Sequence, residues 1–137
     1  DGIQGAVLGV KLKYLAGWNE ARRRHAAAYT EQLSSLNEVL KPREEAYAKH
    51  VYHIYAIRVK ERDRLMAALG EKGIGCNIHY PVPIHLQEAY AFLNLGPGSF
   101  PAAEKCASEY LSLPMFAELT ADQIAYVADQ VKAFYQR

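Results

Sequence analysis

The sequence predicts an α+β fold, a two-layer sandwich in which a small, mostly antiparallel sheet is covered by helices, one of them long and N-terminal. Three observations predict it. Apolar residues recur at three- and four-residue steps from Ile3 to about Leu36. Residues 51–59 alternate in β-branched and aromatic types and give the strongest strand pattern in the chain. A complete helix-start signal, Thr120 with Gln123, precedes a last apolar-periodic segment.

The first helix carries Ile3, Val7, Val10 and Tyr14 with Leu8, Leu12 and Leu15, then Trp18, Ala21, Tyr29 and Leu33. A continuous helix of that length spans on the order of 50 Å at its usual rise. Gly5, Gly9 and Gly17 each disfavour a helix interior by about 1 kcal/mol relative to alanine. Close packing of another backbone is expected at Gly5 and Gly9, and a kink at Gly17. Residues 37–42 read as a turn with a short strand, and residues 51–59 as the main strand. A short helix follows over 62–69, with Asp63 suited to its N-terminal dipole and Lys72-Gly73 as its stop. Residues 74–79 read as a second strand.

In Tyr80-Pro81-Val82-Pro83-Ile84 the alternating prolines force an extended conformation outside any ladder. Residues 95–99 form a loop, and Phe100-Pro101 opens a helix expected to end near Leu111. In the last helix Leu119 and Ile124 occupy hydrophobic-staple positions, and Ile124, Val127, Val131 and Phe134 line the buried face.

Composition narrows the function classes. Half of the 137 residues are apolar, and the net charge is only +1. Arg22-Arg23-Arg24 is the one dense basic run, and Glu20 and Glu31 flank it on the same helix, so a solvated helix face is expected and no nucleic-acid site. No apolar run approaches the ~20 residues of a membrane-spanning helix. Two cysteines, Cys76 and Cys106, neither build a disulfide framework nor carry metal-ligand spacing, which fits thiols in a reducing cytoplasm. Asp1 stands directly inside a periodic pattern, so the chain is expected to be a piece of something longer.

The unusual chemistry lies in residues 73–87. A strand end delivers His79 and Tyr80, on opposite faces if the strand continues between them, and a rigid loop then carries His85. Imidazole and phenol groups held on a rigid loop suit hydrogen bonding to a polyhydroxylated ligand. Packing of Tyr80 and His85 against helices, with their polar ends satisfied, is the competing reading. Metal binding is disfavoured, since His79 and His85 have no carboxylate interleaved, and His53 is expected to be buried and bonded to backbone. No serine elbow or phosphate-binding glycine loop is present. Residues alone therefore reach only a soluble α+β domain.

Four stretches add to this: Asp1-Gly2-Ile3-Gln4-Gly5 through Leu15 with Trp18-Asn19 and Arg22-Arg23; His50-Val51-Tyr52-His53-Ile54-Tyr55 with Arg62-Asp63; Gly73-Ile74 through His79-Tyr80-Pro81-Val82-Pro83-Ile84-His85-Leu86-Gln87; and Phe100-Pro101, Ala103-Glu104, Leu111-Ser112-Leu113-Pro114-Met115, Leu119-Thr120 and Gln123-Ile124. In order and spacing they resemble the C-terminal part of the DegT/DnrJ/StrS family of sugar aminotransferases.

The resemblance implies that residues 1–137 are the small domain of a fold type I, aspartate-aminotransferase-like enzyme. It further implies transfer of an amino group from glutamate or glutamine to a keto group of a nucleotide-linked deoxysugar. Pyridoxal phosphate (PLP) is the cofactor, held mainly by a large domain upstream that carries the Schiff-base lysine. None of the eight lysines here, Lys11 and Lys13 included, sits in that lysine motif. No catalytic, cofactor-binding or metal-binding residue is therefore assigned to this chain, which alone should be inactive. His79 and Tyr80 match the pair that contacts the substrate sugar, in a form closer to enzymes acting on 3-keto sugars than on 4-keto sugars. Cys76-Asn77 stands where a small or hydroxyl residue is expected. A homodimer is implied for the full-length protein. A non-catalytic regulatory paralogue and an unrelated α+β binding module are the competing assignments.

Overall fold

In the computed structural model, which describes residues 1–136, one helix dominates the N-terminal third. Helix α1 runs unbroken over Gly2–Gln32, about 47 Å at the standard rise. Asp1 caps it: its carboxylate accepts from the Gln4 N–H at 3.0 Å and Gln4 Oε1 accepts from the Asp1 amine at 3.0 Å. That capping box was not read from the sequence. The helix stops short of Leu36, with Leu33 as its C-cap and a turn beyond. Gly17 produces no break in it. A Cβ built on Gly5, Gly9 or Gly17 meets nothing within 4 Å, so the close packing expected at the first two is not found among the described residues.

Strand β1, Tyr55–Arg58, is shorter than the pattern over 51–59 predicts. Tyr52 at φ 47° turns the chain aside before it, and its N–H donates to His50 Nδ1 at 2.8 Å instead of entering a ladder. Helix α2, Arg62–Glu71, ends in a Schellman motif. The Ile74 N–H donates to the Leu69 carbonyl and the Gly73 N–H to the Gly70 carbonyl, with Gly73 at φ 73°. Two 3-10 turns follow the double proline, Ile84–Leu86 and Glu88–Leu93. Helix α3, Pro101–Glu109, hands over without a loop to strand β2, Tyr110–Leu113, where the helical reading ran on to Leu111. Helix α4, Ala121–Tyr135, begins on the Thr120/Gln123 box as expected.

β1 and β2 pair antiparallel, with Tyr55 opposite Leu113 and Ile57 opposite Leu111. Leu40 bridges to the outer side of β1, and Asn77 to the outer side of β2. Residues 74–79 thus touch the sheet at one bridge and do not form the expected second strand. The inward row of β1 (Tyr55 and Ile57) and of β2 (Leu111 and Leu113) is buried. It meets Tyr29 and Leu33 near the end of α1, Leu65 and Leu69 of α2, and Ile124, Val127 and Val131 of α4. Helix α4 packs on both α1 and α2, which closes the second layer. Tyr29 stacks on Tyr55 at 5.1 Å between ring centres and donates to the Pro114 carbonyl at 3.1 Å, tying the long helix to the sheet. In contrast, every residue from Asp1 to Gly17 is exposed.

Candidate functional site

Side-chain parity along the sheet builds the site. Tyr55, Ile57, Leu111 and Leu113 face the core, so Ala56, Ser112 and the bridging Asn77 form a row on the other face. Asn77 and Ser112 exchange both backbone bonds: the Ser112 N–H donates to the Asn77 carbonyl at 2.9 Å, and the Asn77 N–H to the Ser112 carbonyl at 3.1 Å. His79, two residues on from Asn77, shares that face. Its Nδ1 lies 2.9 Å from Ser112 Oγ, a hydroxyl on a residue only 4% exposed. The His79 side chain itself reaches solvent. It stands at a cleft of about 280 Å³ with His53, Asn77, Ser112 and Met115.

Tyr80 points elsewhere. It is 73% exposed, and its backbone N–H donates to the Tyr110 hydroxyl. Its ring opens on a larger groove of about 750 Å³ whose walls include Val82, Ile84, Leu93, Phe100 and Tyr110. The larger groove is mostly apolar, with His85 and Gln87 also on its wall, and the smaller cleft gathers His53, His79, Asn77 and Ser112. For a ligand rich in hydroxyls the smaller cleft has the matching chemistry, because polar groups need hydrogen-bond partners when they leave water.

His85 belongs to the scaffold. It is 7% exposed, Nε2 lies 3.0 Å from Glu104 Oε1, and Phe100 meets its ring edge-on at 4.9 Å between centres. Glu104 also accepts from the Gly98 N–H at 2.9 Å and the Phe100 N–H at 3.1 Å. Those two backbone donors, then His85, hold the Glu104 carboxyl below its ordinary value. One carboxylate thereby ties residues 98–100 and the 3-10 turn at His85 to α3.

His79 and Tyr80 are therefore brought only partly together. Their rings lie 6.4 Å apart, yet they border different cavities. His53, expected to be buried, is exposed and borders the cleft with His79. The sequence reading missed Ser112 and Asn77 as site residues. For Ser112 the signal is the period-two parity of β2, hidden while Leu111 is assigned to a helix; for Asn77 it is the two-residue spacing to His79 within residues 74–79.

Among the described residues no group of three His, Cys, Asp or Glu side chains is placed to hold a metal, and no helix is long and apolar enough to cross a membrane. A cofactor bound through a lysine Schiff base does not fit these two cavities, since no lysine borders either.

The sequence profile of the DegT/DnrJ/EryC1/StrS aminotransferase family matches residues 1–132. The chain is 45% identical to the "Pleiotropic regulatory protein" of Geobacillus stearothermophilus, over 99% of this chain and 37% of that protein. It is 37% identical to the dTDP-3-amino-3,4,6-trideoxy-alpha-D-glucose transaminase of Streptomyces venezuelae, over all of this chain and 36% of that protein. Among solved structures, S. venezuelae DesV in complex with a ketimine intermediate superposes with a TM-score of 0.94 and 37% identity, covering 98% of this chain and 36% of DesV. The chain thus spans a little over a third of the length of the relatives it matches.

Proposed function

The chain belongs to the DegT/DnrJ/EryC1/StrS aminotransferase family, and from that premise we propose that it is the C-terminal small domain of a nucleotide-sugar aminotransferase. The full-length protein transfers an amino group from glutamate or glutamine to a keto carbon of a nucleotide-linked deoxysugar. PLP supplies the carbanion-stabilising chemistry from a part of the protein outside these residues. This chain supplies one wall of the site and the sugar contacts, His79 first and Tyr80 beside it.

The observation that carries the reading is the family match across residues 1–132. The exposed His79 imidazole at the cleft with His53, Asn77 and Ser112 supports the sugar-contact role. A 3-keto substrate is favoured by the Tyr80-Pro81-Val82-Pro83 form of the loop and by the 3-amino sugar in the name of the S. venezuelae relative.

The test uses the full-length protein. It should turn yellow with PLP and aminate a dTDP-linked 3-keto-deoxysugar with glutamate. His79→Ala should lower kcat/KM for the sugar at least tenfold, about 1.4 kcal/mol, with PLP affinity unchanged. An unchanged kcat/KM would remove His79 from the site.

A second reading has one observation in its favour, the regulatory name of the 45%-identical relative. A non-catalytic paralogue would carry another residue at the Schiff-base position and would not transaminate any nucleotide sugar. Sequencing the large domain and a single-turnover assay with glutamate separate the two.

A further inference from the structure

The hydrogen bonds that hold His79 come from one strand. Past the Asn77–Ser112 pair the ladder stops, because the next rung would pair His79 with Tyr110, and the Tyr110 N–H already donates to the Cys106 carbonyl at the end of α3. From there the side chains of β2 take over what its backbone did. Tyr110 accepts the Tyr80 N–H, and Ser112 reaches His79 Nδ1 at 2.9 Å. Ser112 is 4% exposed and sits in the middle of the sheet, between Ala56 of β1 and Asn77. Its backbone is fixed on the Asn77 side by the two bonds given above. A serine hydroxyl at that place has no role in the apolar core, which lies on the opposite face. The His79 imidazole, by contrast, reaches solvent and has freedom to lose.

We propose that Ser112 is the positioning residue for His79: its buried hydroxyl engages Nδ1, fixes the ring plane at the cleft, and leaves Nε2 as the atom that meets the substrate sugar. Ser112 Oγ can donate to Nδ1 or accept from it, so the hydroxyl fixes the orientation of the ring in either tautomer and leaves Nε2 facing the cleft. Ser112 does not itself touch the sugar. The inference rests on the sugar-contact reading of His79 above, and it extends the site from the loop to the sheet.

The experiment is a double-mutant cycle on the full-length, PLP-loaded protein, read by calorimetric Kd. The probes are dTDP-3-amino-3,6-dideoxy-alpha-D-galactopyranose, which carries a sugar, and dTDP, which does not. Ser112→Ala should weaken the amino-sugar Kd about five- to tenfold, the loss of one buried hydrogen bond to a contact residue. The dTDP Kd should not move. His79→Ala should weaken the amino-sugar Kd at least as much, and the double variant should bind no worse than His79→Ala alone, since Ser112 acts only through that ring. A merely structural serine would weaken both probes, or would add its effect to that of His79→Ala, and either result overturns the proposal. So does an unchanged amino-sugar Kd in Ser112→Ala when His79→Ala is impaired; in that case the sugar-contact reading stands. An unchanged amino-sugar Kd in His79→Ala instead removes the sugar-contact reading, and the proposal with it.

Discussion

Glu104 gathers two backbone N–H donors and an imidazole around one carboxylate, and the charged form is the one they favour. Its folded pKa lies below the ordinary 4.5, so between the two values the unfolded chain binds more protons than the native one. The stabilisation is therefore complete above the ordinary value and is lost as pH falls through the depressed one. A plot of Tm against pH should fall in that acid range, and Glu104→Gln should flatten the fall while lowering Tm at neutral pH. Cys76 shows the opposite effect of environment. Burial pushes its thiol up to about 11 from 9, which reduces the thiolate fraction near pH 8 by about 100-fold. Peptide mass spectrometry after iodoacetamide treatment should show Cys76 reacting far more slowly in the native than in the denatured chain. At this scale the sequence singles out His79 and Tyr80, and the structure sets them at two different cavities. The sequence cannot name Ser112, because a serine between two leucines gives no sign of its partner until the pairing of β2 is known.

The elements differ in how plainly their ends are written. Thr120 and Gln123 announce α4 because a cap is a local device: the Gln123 N–H donates to Thr120 Oγ1 at 3.2 Å within one turn. Thr120→Ala should destabilise the chain by about 1 kcal/mol in urea denaturation. β2 is written weakly, since Ala107 and Leu111 keep the four-residue spacing of a helix right across the boundary. The overlooked signal is Pro114, which disfavours helical backbone at Leu113 and asks for an extended approach. Residues 74–79 fail as a strand for a long-range reason: on either side of the Asn77–Ser112 rung β2 offers no donor, since the Tyr110 N–H goes to the Cys106 carbonyl and Pro114 has none. Glycines divide in the same way. Gly73 at φ 73° closes α2 in a conformation that any side chain strains, whereas Gly17 lies in regular helix with open space where a Cβ would go. Gly73→Ala should lower stability by about 1 kcal/mol or more, and Gly17→Ala should raise it by up to about 1 kcal/mol. Chemical denaturation of the two variants side by side reads the difference directly.

The whole molecule is asymmetric along its longest helix. The C-terminal part of α1 delivers Ala26 and Tyr29 to the core, with Leu33 at its cap, while the N-terminal part carries Ile3, Val7, Leu8, Val10, Leu12 and Leu15 into solvent. The apolar periodicity of that part was legible; what covers it was not, because periodicity records that a face is apolar without recording its neighbour. Apolar surface of this extent drives association when two copies can share it. Leu8 and Leu12 lie one turn apart at 66% and 67% exposure, so Leu8→Glu with Leu12→Glu places two charges on the stripe without disturbing a packed neighbour. Sedimentation of the 137-residue chain should show self-association that rises with concentration and is abolished in the double variant, whose Tm matches the parent's at concentrations too low for association. In the full-length protein the same pair should lower Tm if the remainder packs on this face. The contrast between the two backgrounds is what separates a covered helix from a free one: a stripe that serves no packing loses nothing to the charges in either.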